Sequence, residues 1–163
     1  MKKIFLLLVL TFAASGYAQT DSSLADDVAV IQSIYGKSKA DLVKQYIDLS
    51  EPQASAFQKI YDEYETQRKA LGQKKMQLIN DYANNYDTLD DAKAAELTET
   101  NLKTNAESEK LLSKTFSKMK KAVGGRNAAK FVQLEQYLQT TIRAEIQDSI
   151  PFIDEIDKSK ISK

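Results

Sequence analysis

An all-α fold of four helices, two of them paired in a long antiparallel hairpin, is predicted by three observations. The 163-residue chain carries only two prolines and five glycines, so little interrupts a helix. Ala, Lys, Glu, Gln and Leu, all strong helix formers, are abundant, and valines are few. Apolar residues recur at three- and four-residue intervals over long stretches, which is the spacing of one helix face. No segment demands a strand.

The first helix is read over 27–48, on Val28, Ile31, Ile34, Tyr35, Ala40, Val43 and Ile47, with a bend at Gly36. The second starts at Leu49-Ser50-Glu51-Pro52-Gln53. There Ser50 is placed to cap the first free amides, Pro52 needs no amide partner in a first turn, and Gln53 can reach back. Its stripe runs Phe57, Ile60, Tyr61, Tyr64, Leu71, Leu78, Ile79 and Tyr82, and at ~1.5 Å per residue the run from Glu51 to Tyr86 spans roughly 50 Å. The turn residues Asn84 to Thr88 follow, with Thr88 as the expected cap of a third helix. That helix carries Leu102, Asn105, Glu109, Leu112, Phe116, Met119 and Val123 on a three-four spacing. Asn105 and Glu109 interrupt the seam, as a solvated edge or as polar contacts that set register. Gly124-Gly125 ends the helix by permitting positive φ. Asn127 is placed to cap a fourth helix with Phe131, Leu134, Leu138, Ile142 and Ile146, which Ser149-Ile150-Pro151 closes. Phe152, Ile153 and Ile156 are expected to fold back on the bundle. Short turns make neighbouring helices antiparallel, with helices one and four near the open end of the hairpin. Shorter neighbours then leave part of the second helix uncovered, exposing apolar surface or inviting a second copy.

The start of the chain bears on compartment. Lys2 and Lys3, the apolar run Ile4 to Ala14, and Gly16-Tyr17-Ala18 have the form of a secretory leader over 1–18, cleaved before Gln19. The run is too short for the roughly 20 residues of a membrane span, and a lipid anchor would need a cysteine, of which there are none. The expected organisation is leader 1–18, polar segment 19–27, one helical domain 28–157 and polar tail 158–163. The expected location is periplasmic, or secreted where there is no outer membrane.

Composition removes several chemistries. With no cysteine and no histidine, disulfides, thiol redox chemistry and Ser-His-Asp or Cys-His catalysis are excluded, and zinc or copper would be poorly served. The 23 basic and 23 acidic residues balance, and loss of Lys2 and Lys3 leaves two excess negative charges, which selects no partner. Carboxylates alternating with lysines read as solvated helix faces. No enzyme activity, cofactor or metal is expected. The aspartates Asp87, Asp90 and Asp91 lack the spacing and glycine of a calcium loop and read as capping residues. Lys114, Lys118, Lys120, Lys121, Arg126 and Lys130 form the densest basic cluster, explained by dipole compensation and solubility or by attraction to anionic lipid; nucleic acid is not an expected partner.

The pentapeptide Leu49-Ser50-Glu51-Pro52-Gln53 resembles the Leu-Ser/Thr-x-x-Gln signature of small helical periplasmic proteins related to the Spy and CpxP envelope-stress proteins. Leu97-Thr98-Glu99-Thr100-Asn101 resembles a second copy, with Asn101 where that family has Gln, and lies within the third helix. The layout of residues 38 to 153 is also similar. The resemblance implies a thin cradle-shaped dimer of helical hairpins. Such a dimer holds unfolded or misfolded clients without ATP, or reports envelope stress to a membrane sensor or anti-sigma partner. Leu49, Ser50 and Gln53 are then motif residues, and no metal site is carried over. Phe57, Tyr61, Tyr64, Arg68, Lys75 and Tyr82 are the candidate client- or partner-contact residues: tyrosines offer flat amphipathic area and the cations mobile charge. The same tyrosines can equally be core or dimer-interface residues.

Overall fold

The computed structural model describes residues 31 and 34–154. Helix accounts for 87% of these residues and no strand occurs among them, so the all-α class holds. Three helices are counted, not the four expected: α1 (Lys39–Tyr46), α2 (Gln53–Asn85) and α3 (Asp91–Ser149), with a 3₁₀ turn at Tyr86–Thr88. The expected leader, polar segment and tail lie outside the described residues, as does Ile156.

The first helix is broken rather than bent. Ile31, Ile34 and Tyr35 are helical, but Gly36 has φ 62°, a left-handed geometry that glycine adopts without steric cost. Ser38 then caps a new start, its Oγ accepting from the Asp41 amide at 3.2 Å. The second helix begins later than expected. Pro52 is the residue before it, and the exposed Ser50 makes no side-chain cap; Glu51 Oε2 instead accepts from the Ser55 amide at 3.4 Å. Thr88 also cedes its expected role. Asp90 caps α3, accepting from the Lys93 amide at 2.8 Å, because a carboxylate one residue before the helix reaches the free amides directly.

The expected third and fourth helices form α3, interrupted at Gly124 alone (φ 83°, ψ 161°). Helical bonding resumes so soon that Asn127 does not cap; its side-chain amide donates to the Val123 carbonyl at 3.1 Å across the break. We call residues 91–123 the first limb of α3 and residues 125–149 the second. As expected, α3 ends at Ser149, with Ile150 as C-cap before Pro151.

The second limb runs parallel to α2. Near one end, Tyr64 reaches Glu135; near the other, the Tyr82 and Tyr86 hydroxyls donate to the carbonyls of Pro151 and Phe152 at 2.9 and 2.8 Å. The fourth segment therefore does not stay near the open end of the hairpin, as the sequence suggested, but covers α2 over nearly its whole length. Phe152 returns to the bundle through its carbonyl, and the side chains of Phe152 and Ile153 are exposed.

The core gathers at the α1 end. Phe131 is fully buried, and three α2 rings meet it edge-on: Phe57 at 6.0 Å, Tyr61 at 6.2 Å and Tyr64 at 5.4 Å between centroids. Such edge-to-face pairs stabilise by about 0.5–1.5 kcal/mol each beyond area burial. Met119 and Val123 close this core from the first limb, and Val43 and Ile47 close it from α1.

Two substitutions separate backbone geometry from space at the break. Neither Gly124 nor Gly125 has an atom within 4 Å of where a Cβ would stand, but only Gly124 has positive φ. Gly124→Ala is expected to cost about 1–3 kcal/mol, whereas Gly125→Ala is expected to be neutral or stabilising by up to about 1 kcal/mol, measured by urea denaturation. Phe57→Ala, which empties a buried site in the aromatic cluster, is expected to cost about 3–5 kcal/mol in the same measurement.

Candidate functional site

Beyond the aromatic core the three helical rods do not fill the space between them. The α2 stripe continues with Leu71, Met76, Ile79 and Tyr82, while the facing turns of α3 mix aliphatic and polar side chains. These are Leu97, Leu111 and Leu112 with Thr98, Asn101, Asn105 and Ser108 on the first limb, and Ile142 and Ile146 with Gln136, Gln139 and Thr140 on the second. Amides and hydroxyls cannot interdigitate with an aliphatic stripe without losing water, so the walls stay apart. The result is an open groove of about 1270 Å³ between α2 and the two limbs of α3. Aliphatic side chains occur on every wall, and the two α3 walls add neutral hydrogen-bonding groups.

The seam of the first limb differs from the sequence reading. Leu102, expected inside, is 62% exposed, whereas the exposed Glu109 agrees with a solvated edge. The buried positions are Leu97, Thr104, Leu111, Leu112, Thr115, Met119 and Val123. Threonine hides this register from an apolar count, since Thr104 satisfies its hydroxyl on the Thr100 carbonyl at 2.8 Å and then packs as a methyl. Asn105 is half-buried at the groove and donates to Asn101 Oδ1 at 3.4 Å.

One end of the groove is closed by Tyr64, Arg68 and Glu135, which belong to a buried ion network. Glu135 is 1% exposed. Its Oε1 accepts from the Tyr64 hydroxyl at 2.6 Å and from Gln139 Nε2 at 3.3 Å. Its Oε2 has no directional hydrogen bond and is balanced instead by the Lys39 ammonium at 2.5 Å. Lys39 also donates to Glu65 Oε1 at 2.6 Å, and Arg68 grips Glu65 with Nε at 2.9 Å and Nη2 at 3.1 Å. Burial alone would raise the Glu65 carboxyl, but Lys39 and Arg68 overcome it and hold the group below its ordinary value. Burial, then the Glu135 charge and hydrogen bond, push the Tyr64 hydroxyl far up, so it remains a donor. Tyr61 is raised by burial and by the Glu65 and Glu135 charges.

The expected contact residues are thus divided. Phe57 and Tyr61 are core side chains. Tyr64 and Arg68 are buried in the closed end of the groove, and Lys75 and Tyr82 are half-buried along it. Tyr61 and Tyr64 follow the core alternative that the sequence left open, because the second limb covers that face of α2. Of the motif residues, Leu49 packs on the core, while Ser50 and Gln53 are exposed and apart from the groove. Three members of the basic cluster are engaged: Lys118 pairs with Glu63 at 2.7 Å, Lys120 lies over Phe116 and Lys130 over Tyr46. Sequence reasoning missed Lys39, Glu65 and Glu135. A signal existed for Glu135, which stands four residues after Phe131 and three before Leu138, on the apolar stripe itself.

Among the described residues, no group of three or more acidic, His or Cys side chains is placed to hold a metal, and no helix is long and apolar enough to cross a membrane. No protein-family profile, curated protein or solved structure matches the chain.

The network predicts how stability depends on pH. Glu65 is lowered from 4.5, so its contribution is present above about pH 4.5 and lost as pH falls through the folded value. Tyr61 and Tyr64 are raised from 10.0, so their contribution is present below about pH 10 and lost as pH rises beyond it. The urea midpoint should form a plateau between these limits, with Glu65→Gln blunting the acid fall. Tyr64→Phe, which strips a donor from a buried carboxylate, is expected to cost about 1.5–3 kcal/mol at pH 7.

Proposed function

We propose that this protein is a non-enzymatic, ATP-independent holdase of the cell envelope that takes exposed apolar segments of unfolded proteins into the inter-helical groove. The observation that carries this reading is a groove whose aliphatic lining, on α2 and on α3, is interspersed with amide and hydroxyl groups from α3. The aliphatic lining receives apolar side chains of many shapes, Met76 adding an adaptable surface. The amides of Asn101, Asn105, Gln136 and Gln139 both donate and accept, which suits a peptide backbone whatever its sequence. Charge along the groove is mixed, with Arg68, Lys75 and Arg143 against Glu109, Glu135 and Asp148, so neither sign of client is favoured. The secretory form of residues 1–18 and the Leu49 to Gln53 resemblance support an exported role, and a homodimer belongs to the same proposal.

The test is light scattering from several unrelated, chemically unfolded proteins, without ATP, at a few-fold molar excess of this protein. Suppression of aggregation is expected with every client. Ile79→Lys, which places a charge on the aliphatic lining, should weaken suppression by about tenfold while leaving the helical circular dichroism intact. No suppression with any client overturns the holdase reading. Capture of a single envelope partner in its place would identify a regulatory module docking on a membrane sensor or anti-sigma protein.

A further inference from the structure

The groove is closed along its axis but not sideways. Near the end that Tyr64, Arg68 and Glu135 block, the two limbs of α3 part, and a second space of about 400 Å³ opens between them. Glu109, Leu112 and Gln136 line both spaces, so this cleft is a side branch of the groove; Glu109 and Gln136 are exposed and Leu112 is buried. Its further lining comes from α3 alone. Phe116, Ala129 and Val132 are apolar, and Ser113 and Gln133 stand exposed at the rim. Phe116 and Val132 pack on the main core and are still only half-buried. Lys120, whose ammonium lies 5.9 Å from the centre of the Phe116 ring, is exposed and can move aside without stranding a buried charge. From Gln136 to Ala129, and from Glu109 to Phe116, each limb advances ~10 Å at ~1.5 Å per residue, which an extended chain crosses in about three residues.

We infer that the cleft between the limbs is an aromatic-selective subsite of the client groove, taking one Phe, Tyr or Trp side chain of an extended unfolded segment. The inference deepens the holdase reading and rests on it. An unfolded client is longer than the groove, which from Tyr64 to Tyr82 spans ~27 Å, the length of about eight extended residues. Its backbone must therefore leave the groove, and at the blocked end the opening between Glu109 and Gln136 leads into the cleft. The Gln136 amide both donates and accepts, which suits a passing backbone of any sequence. The lining of the cleft then decides which side chain is held there. Phe116 presents a half-buried ring, and a pair of rings is stabilised beyond the area it buries, whereas an aliphatic side chain gains the area alone. The main groove lacks this discrimination, since between its two ends the apolar lining is leucine, isoleucine and methionine. A preferred client segment therefore carries an aromatic residue about three positions beyond an apolar stretch.

Fluorescence anisotropy of two labelled peptides on the full chain tests the subsite. One carries about eight alternating leucine and serine residues, enough for the main groove at ~3.3 Å per residue, with a phenylalanine about three residues beyond each end; the other has serine in place of both phenylalanines. The phenylalanine peptide is expected to bind at least about fivefold tighter. Ala129→Trp, at an exposed position from which the indole fills the cleft, should bring the two affinities within about twofold of each other and leave that of the serine peptide unchanged. Val132→Ser, read for the same loss of preference, serves if circular dichroism shows that Ala129→Trp does not fold. Equal affinities in the unaltered chain, or a phenylalanine preference that survives Ala129→Trp, overturn the subsite, while binding of the serine peptide keeps the holdase reading. No binding of either peptide overturns the holdase reading and the subsite with it. A dimer that Ala129→Trp splits, seen by analytical ultracentrifugation, assigns the cleft to a second copy of the chain and also overturns the subsite.

Discussion

The fold depends on one backbone residue. Gly124 turns the chain between the two limbs of α3 with φ 83° and ψ 161°, a region that is essentially closed to any residue with a Cβ. Because the reversal takes a single residue, no loop absorbs slack, and the second limb is launched directly along α2. Phe131, in the second turn after the break, then meets Phe57, Tyr61 and Tyr64, which share one face of α2 by their three- and four-residue spacing. The aromatic cluster and the reversal specify each other: without the turn the rings do not meet, and without the rings nothing holds the limb in line.

From this fixed end the groove follows. The two limbs and α2 continue as near-parallel rods, held together again at the far end by Tyr82 and Tyr86 on the carbonyls of Pro151 and Phe152. Between those two ends the facing side chains are unmatched, since the α2 stripe meets amides and hydroxyls on α3 interspersed with Leu97, Leu112, Ile142 and Ile146. A close-packed interior requires apolar neighbours on every side of an aliphatic stripe, and here the polar groups interrupt them. The space that remains is shaped by side-chain chemistry, whereas the uncovered surface expected from helix lengths is covered by the second limb.

Much of the helical scaffold was legible in the sequence. The all-α class, the stripe from Phe57 to Tyr82, the role of Gly124 and the stop before Pro151 all follow from local rules. Helix starts were read less well. Asp90 caps in place of Thr88, and Ser50 caps nothing, since several residues within two positions of each start can do the same local work. The seam of the first limb was misplaced because Thr104 and Thr115 are buried, Thr104 by satisfying its hydroxyl locally, while Leu102 faces solvent. The candidate site was legible only in part. Tyr64, Arg68, Lys75 and Tyr82 belong to it, but as interior walls, and the Lys39, Glu65 and Glu135 charges that close it were read as ordinary surface residues.

The sequence by itself determined helix content, the hairpin turn and the break at Gly124, because backbone propensities, caps and positive φ act over a few neighbouring residues. Only the tertiary structure decided that α2 is covered along its length, that a groove remains beneath, and that Glu135 is buried against Lys39. Those outcomes depend on segments far apart in the chain arriving at the same place. A carboxylate on an apolar stripe is destabilising alone and tolerable beside an ammonium, and nothing within its own helix says which it will be.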